Sequence, residues 1–400
     1  MTRTVWIFHH YADPPDGHWT GTYDLYRPLA DKGHRITIFS SSFSHYTRRE
    51  ERLRDGEWLR EQEYGGIRFV FLRTTPYERN DWRRTANMVS YGIRAYRAGR
   101  RRQNRPDIVI GATPHPFCIV AAALIAQRTR ARFFLELHDL WLDYMIDTGM
   151  IRASSPAAIA LRAMDRWCYR RAERILALWP GMGLHLSAAG IPADRMTWTP
   201  MGVNLRTMPV AENQPKNGKF RVVCTARFGP ASNIDEILEA AELLQQAGDR
   251  RVEFVLVGGG PEEGRLRAYA QTRRLENVQF TGMVPKSEIP GYLRLADVCV
   301  AGLPDVPTYR RYGTIPSKII DYLTAGRPVI FISSLETSVV ALARAGRVVA
   351  PGDPRKLADA IVELASLPRD ELVRLGLNGQ DYIRQNHDIH RLAQRIEDLF

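Results

Sequence analysis

The chain has 400 residues, 44% hydrophobic, 25% charged and 10% aromatic, which excludes long disordered tracts and, at this length, favours two hydrophobic cores over one. A formal net charge of +12 points to an anionic partner and leaves three classes open: nucleic acid, a membrane surface or a phosphorylated substrate. No run reaches the roughly 20 apolar residues of a bilayer span. The most apolar run, 117–126, reads as a buried helix ending at Gln127 and Arg128. The N-terminus, Thr4-Val5-Trp6-Ile7-Phe8, reads as a core strand without the apolar region and cleavage site of a secretory signal, which predicts a cytoplasmic protein. Cys118, Cys168, Cys224 and Cys299 lie far apart in apolar segments, with neither metal-ligand nor disulfide spacing, and are expected as buried thiols.

In chain order, short apolar runs alternate with longer helical stretches, the pattern of βαβ units around a parallel sheet. Strands are predicted at 5–8, 35–40, 67–72, 108–110, 132–137, 174–178 and 196–199, with helices at 22–32, 87–104, 116–128, 156–171 and 182–189. Ser155 followed by Pro156 is a helix-start signal. Arginines are densest between 79 and 105, where Arg83, Arg84, Arg94, Arg97, Arg100, Arg101 and Arg102 are opposed by Glu78 and Asp81. From 204 to 219 the pattern lapses into a polar stretch punctuated by Pro209, Pro215 and Gly218. A second series follows: strands at 220–225, 252–257, 278–281, 298–301 and 329–332, with helices at 234–246, 263–274 and 317–324. This organisation predicts an N-terminal domain over 1–207, a linker over 208–218, a C-terminal domain over 219–375 and a helical segment over 376–400 that packs back on the first domain.

Ligands of doubly wound sheets bind beyond the carboxyl ends of the strands, so the loops there are expected to carry the chemistry. Between 9 and 21 the loop carries His9, His10 and Gly21, whose missing side chain lets backbone approach a diphosphate or an acceptor hydroxyl. His115 follows the strand at 108–110, and His138-Asp139 follows the strand at 132–137. Gly258-Gly259-Gly260 ends an apolar strand but misses the Gly-x-Gly-x-x-Gly spacing of a dinucleotide fingerprint, so Gly259 is assigned to a tight turn. In Pro316-Ser317-Lys318-Ile319-Ile320-Asp321, Pro316 suits a first helical turn and Gly326 the position after the last. The unpaired N–H groups and positive dipole end of that helix suit a diphosphate, with Ser317 and Lys318 adding a hydroxyl and a cation. Asp321, one turn on from Ser317, is placed to accept from a ribose diol.

The Pro-Ser-Lys helix resembles the donor-binding helix of family 4 glycosyltransferases of the GT-B fold, especially bacterial O-antigen and exopolysaccharide sugar transferases. Gly33-His34-Arg35-Ile36-Thr37-Ile38, Met201-Gly202-Val203-Asn204, Val257-Gly258-Gly259-Gly260-Pro261, Asn277-Val278-Gln279-Phe280-Thr281-Gly282 and Ala296-Asp297-Val298 fall in that family's order and spacing. The resemblance implies two Rossmann-like domains facing each other across a cleft, and retaining transfer of a sugar from a nucleoside diphosphate sugar to an acceptor hydroxyl. It implies that His138 contacts the donor sugar, and likens Asp139-Leu140-Trp141 to the Asp-x-Trp of the polysaccharide branch. Two positions depart from the family: Gly313 stands where the first of two acidic residues is usual, with Asp321 shortened from the usual Glu at the second, and Asn233 stands where a lysine usually follows Arg227. Lys318 is expected to supply the missing cation.

His138, Arg227 and Lys318 are therefore the expected catalytic residues. Gly21, Arg227, Gly259, Ser317, Lys318 and Asp321 are expected at the donor, and His9, His10, His115 and Asp139 on the acceptor side. No Asp-x-Asp metal motif is present, so neither metal nor cofactor is expected beyond the nucleotide sugar as co-substrate. Uridine is the expected base, with guanosine the alternative. The acceptor is expected to be a sugar or lipid-linked sugar, and the arginine-rich stretch, with Trp82, Tyr91 and Tyr96, an anionic membrane footprint on the inner face of the plasma membrane. Nucleic acid is not expected, because basic and aromatic residues are not interleaved in a recognition pattern. A nucleotide-sugar epimerase of similar architecture and a basic nucleic-acid-binding protein are the alternative functions.

Overall fold

A computed structural model of the chain describes residues 1–79, 81–208, 218–229, 232–335 and 337–400. They form two compact units, Met1–Gly202 with Asp388–Phe400, and Val203–His387. Most of the expected linker, 209–217, lies outside the described residues.

The first unit runs β1 (Thr4–Phe8), α1 (Gly21–Asp31), β2 (Arg35–Ser41), β3 (Leu59–Tyr64), β4 (Ile67–Leu72), α2 (Trp82–Arg101), β5 (Ile108–Ala112), α3 (Pro116–Thr129), β6 (Arg132–Leu137), α4 (Trp141–Asp147), α5 (Pro156–Arg171), β7 (Arg174–Ala177), α6 (Met182–Ala188) and β8 (Met196–Trp198). The sheet order is β3-β4-β2-β1-β5-β6-β7-β8, parallel except for β3 against β4. Every residue of β1 and β5 is buried, because helices cover both faces of a parallel sheet. The order reverses between β1 and β5, which opens a crevice at their carboxyl ends.

The second unit runs β9 (Phe220–Arg227), α7 (Ile234–Gln246), β10 (Val252–Gly259), α8 (Glu263–Thr272), β11 (Val278–Gly282), α9 (Ile289–Leu295), β12 (Val298–Gly302), α10 (Pro307–Tyr312), α11 (Ser317–Thr324), β13 (Val329–Ile332), α12 (Val339–Leu342), β14 (Gly346–Val349), α13 (Pro354–Ala365) and α14 (Arg369–Asn386). Its all-parallel sheet has the order β11-β10-β9-β12-β13-β14, which reverses between β9 and β12. The last helix, α15 (Ile389–Glu397), belongs to the first unit and packs on α1. Glu397 takes Lys32 at 2.5 Å and His34 at 3.0 Å, and Arg395 donates to the Trp198 carbonyl at 2.7 Å. The expected C-terminal segment thus divides at Asp388 and not at 376, with α14 staying in the second unit.

Several local readings change. Leu59–Tyr64 was not expected as a strand because Arg60, Glu61, Gln62 and Glu63 give it no apolar face; it is an exposed edge strand, where no second face needs burying. Its partner is fixed by Gly65-Gly66, both at positive φ, a two-residue hairpin turn. Helix α2 begins at Trp82, five residues before the expected 87, because the Asp81 carboxylate accepts from Arg83 N at 2.9 Å. Ser155 caps α5 as expected, accepting from Ala158 N at 3.2 Å, and the four cysteines are free and buried. Tyr91, expected at a membrane surface, is fully buried, and its hydroxyl donates to the Phe39 carbonyl at 2.6 Å. It lies on the face of α2 turned to the core, seven residues on from Arg84 and three on from the buried Met88.

Candidate functional site

At the crevice of the first unit, the loop after β1 brings together residues far apart in sequence. It is an ordered loop: the Asp13 carboxylate accepts from His18 N at 2.9 Å and Trp19 N at 3.0 Å. This sets the Trp19 ring against Gly21, where a Cβ would lie 2.9 Å from the indole. His9 is buried, paired to Thr22 Oγ1 at 2.6 Å through Nδ1, with its ring edge-on to Trp19 and His138. His138 is partly exposed; its backbone N–H donates to Thr113 Oγ1 at 2.8 Å and its Nε2 meets Glu136 Oε2 at 3.2 Å. The buried hydroxyl of Tyr26 donates to the other oxygen of Glu136. This Tyr26–Glu136–His138 chain orients the imidazole.

Beside it, His10 and His115 meet at 2.6 Å, and both are buried almost completely. Burial, with His138 and His115 around His9 and with His115 around His10, holds both imidazoles well below their ordinary pKa; burial takes His115 to about 3. All three are neutral at pH 7. His115 reaches nothing outside the protein: its Nδ1 accepts from Cys118 N at 3.3 Å, capping α3, and its Nε2 is taken by His10. Of the expected acceptor-side residues, Asp139 alone is exposed; protein crowded around it raises its carboxyl to about 6.

In the second unit the crevice is built by backbone. A Cβ at Gly258 would lie 1.9 Å from the Ala226 carbonyl oxygen, and one at Gly260 2.4 Å from that of Phe228; both residues have positive φ, +134° and +158°. Buried Gly259 pairs with Arg227, whose side chain is exposed at the end of β9. Asn233 takes the left-handed conformation before α7, and a Cβ at Gly302 would meet it at 2.6 Å. It is therefore packed against the end of β12, where Gly302 leaves the room it takes.

Helix α11 begins at Ser317, with Pro316 as N-cap, and ends in a Schellman turn in which Gly326 N reaches Leu323 O and Arg327 N reaches Tyr322 O. Ser317 is exposed and Lys318 partly buried, its charge reaching the Cys224 thiol in β9. Asp321 is wetted yet crowded by protein, which raises its carboxyl, while Lys286 pulls it back. Gly313 ends α10 at φ +74°, a conformation an acidic side chain there would strain. Sequence reasoning missed Glu136, Tyr26, Thr22, Lys286 and Tyr322. The last anchors α11 to β9 by accepting from Thr225 N at 2.8 Å. An inward-facing Tyr on an amphipathic helix was the available signal; for Glu136, it was an acidic residue inside an apolar strand.

Residues 16–202 match the family described as glycosyl transferase 4-like domain, and 219–366 that described as glycosyl transferases group 1. A protein of Escherichia coli K12 named for glycosyl transfer in colanic acid biosynthesis is 22% identical over 342 residues, 81% of each chain. A GDP-mannose-dependent phosphatidylinositol monomannoside mannosyltransferase of Mycobacterium tuberculosis is 27% identical over 234 residues, 58% of this chain and 59% of its own. The structure of HepE from Anabaena with UDP and glucose superposes with a TM-score of 0.67 at 16% identity, covering 100% of this chain and 99% of that one. The glycine-built turn, the Pro-Ser-Lys helix and the two Rossmann-like sheets thus come together in one conclusion: the chain belongs to the glycosyltransferases of the GT-B fold, with a 4-like N-terminal domain and a group 1 C-terminal domain.

Proposed function

We propose that the enzyme moves a sugar, with retention, from a UDP-sugar to an acceptor hydroxyl of a cell-surface polysaccharide or glycolipid, without a metal ion. The observation that carries the nucleotide reading is the turn that ends β10 beside the β9/β12 crevice, where Gly258 and Gly260 lie so close to the backbone at the end of β9 that a Cβ has no room. In this reading, Arg227, Lys318 and the first N–H groups of α11 take the charge that grows on the departing diphosphate, a large term in catalysis. Asp321 accepts from the ribose hydroxyls, and His138, oriented through Glu136, faces the donor sugar. UDP is favoured by the nucleotide in the HepE structure, and GDP is its rival because of the mannosyltransferase relative.

Calorimetry with UDP and GDP on the wild type, Asp321→Ala and Asp321→Glu tests this. We expect UDP to bind more tightly, Ala to lose about tenfold in affinity and Glu to keep most of it. Tighter GDP binding replaces the base, and equal loss in Ala and Glu makes Asp321 structural.

A second reading concerns where the enzyme works: we infer peripheral docking on an anionic, cytoplasmic membrane face. The support is the outward side of α2, where Trp82 is 71% and Ile93 49% exposed among the exposed Arg83, Arg97 and Arg100. Co-sedimentation with anionic vesicles at low salt, lost at high salt and with neutral vesicles, is expected; no binding at low salt removes this reading.

A further inference from the structure

Hydrogen-bond bookkeeping at the His10–His115 pair fixes where each proton lies. Cys118 N–H donates to His115 Nδ1, so that nitrogen is unprotonated and neutral His115 carries its proton on Nε2. His115 Nε2–H then donates to His10 Nδ1, which leaves the proton of neutral His10 on Nε2. That Nε2–H is buried and, among the described residues, has no hydrogen-bond partner. The ring cannot turn to find one. It lies nearly parallel to Tyr11 and to Tyr91, each with its centroid 4.3 Å away.

Two more polar atoms nearby share that condition. Tyr11 Oη and Arg84 Nε are buried; the Arg84 guanidinium reaches the Tyr11 oxygen as a donor, which leaves the Tyr11 O–H and Arg84 Nε–H without an acceptor among the described residues. Tyr11 is stacked on His10, and Arg84 stands two turns before Tyr91 on the same face of α2. The Arg84 guanidinium is near enough to act on His10, His115, Tyr11, Tyr77 and Asp139, but forms no ion pair among the described residues. A buried donor left unmade costs about 1–3 kcal/mol, so three donor-bearing groups gathered at one crevice indicate an absent acceptor.

We propose that Arg84, Tyr11 and the Nε2–H of His10 form a subsite for an anionic oxygen group, a phosphate ester carried by the sugar acceptor. The acceptor part of this assignment rests on the glycosyltransferase reading; the anion subsite does not. A cation, a hydroxyl and a neutral N–H suit the several oxygens of a phosphate better than the two of a carboxylate. The site lies at the β1/β5 crevice, where a doubly wound sheet binds its ligand.

Histidine-selective 15N NMR of the full chain tests it, with His10 assigned through His10→Gln, titrating methyl phosphate, inorganic phosphate, acetate and UDP. Methyl phosphate is expected to move the His10 Nε2–H signal saturably and more tightly than inorganic phosphate or acetate. Arg84→Met is expected to weaken it at least about tenfold and Tyr11→Phe, which removes one hydroxyl, about fivefold. UDP binding should be unchanged in both variants, and methyl phosphate binding unchanged in Arg227→Ala. An unmoved His10 signal, equal affinity in wild type and Arg84→Met, or loss in Arg227→Ala alone overturns the subsite; tighter inorganic phosphate overturns the ester, and tighter acetate the phosphate. Absence of UDP binding with methyl phosphate binding intact would instead sink the nucleotide reading and leave the subsite standing.

Discussion

The two crevices arise from one topology and are filled in opposite ways. In the first unit, the β1/β5 crevice is packed with rings in two groups, His9 with Trp19 and His138, and His10 with Tyr11, Tyr91 and His115. In the second, beside the β9/β12 crevice, backbone packs directly on backbone: Gly258 and Gly260 at the end of β10 lie against the Ala226 and Phe228 carbonyls, and Gly302 at the end of β12 lies against Asn233. Side chains discriminate one hydroxyl or ester from another, whereas bare backbone and a helix N-terminus hold any diphosphate. On the proposed function, the first unit selects the acceptor and the second holds a common leaving group.

The contrast breaks most visibly at Gly258. Gly258→Ala must displace the Ala226 carbonyl and strain a φ of +134°, so we expect a loss of about 3 kcal/mol or more in urea unfolding followed by circular dichroism. A loss below about 1 kcal/mol would show that the glycine turn tolerates a side chain.

Next comes acid. The buried histidines have folded pKa values below the unfolded 6.5, so the unfolded chain binds more protons as pH falls, and stability is lost below about pH 7. Between pH 7 and 6 each contributes roughly 0.7 kcal/mol however far it is lowered, about 2 kcal/mol for three, and the raised carboxyls of Asp139 and Asp165, which take up protons in the folded chain over the same range, offset part of it. All 8 tryptophans lie between Trp6 and Trp198, so their fluorescence reports the first unit alone. In Asp165→Asn, which removes the larger part of that offset, a midpoint insensitive to pH over that range contradicts the neutral, buried cluster.

Smaller effects sharpen the division of labour. Arg227→Ala and Lys318→Ala should each weaken UDP about tenfold in calorimetry, and unchanged affinity in both would remove the cations from the diphosphate. Glu136→Gln should lower kcat about tenfold with UDP affinity intact, since it releases His138 without touching the second unit. The smallest is Tyr322→Phe, about 1 kcal/mol in stability, from the bond to Thr225 N. No change there would make the α11 anchor purely apolar.

The apolar runs at 5–8, 108–110, 220–225 and 252–257 are strands because only a doubly covered parallel strand buries such runs on both faces. The Pro-Ser-Lys helix and its Gly326 stop were equally legible, since caps and turns are local chemistry. The edge strand at 59–64 was not, because its polar side chains are tolerated only where the sheet ends.

Within the candidate site, the positions of His138, Lys318 and the glycines at strand and helix ends were legible in the sequence itself, whereas Arg227 was singled out by the family resemblance. The pairing of His10 with His115, 105 residues apart, and of Tyr26 with Glu136 could come only from the tertiary structure, which places β1, β5 and β6 side by side. Burial then decides what those residues are: the same histidine that titrates near neutrality in an open loop is a neutral, tautomer-locked donor once desolvation forbids its charge.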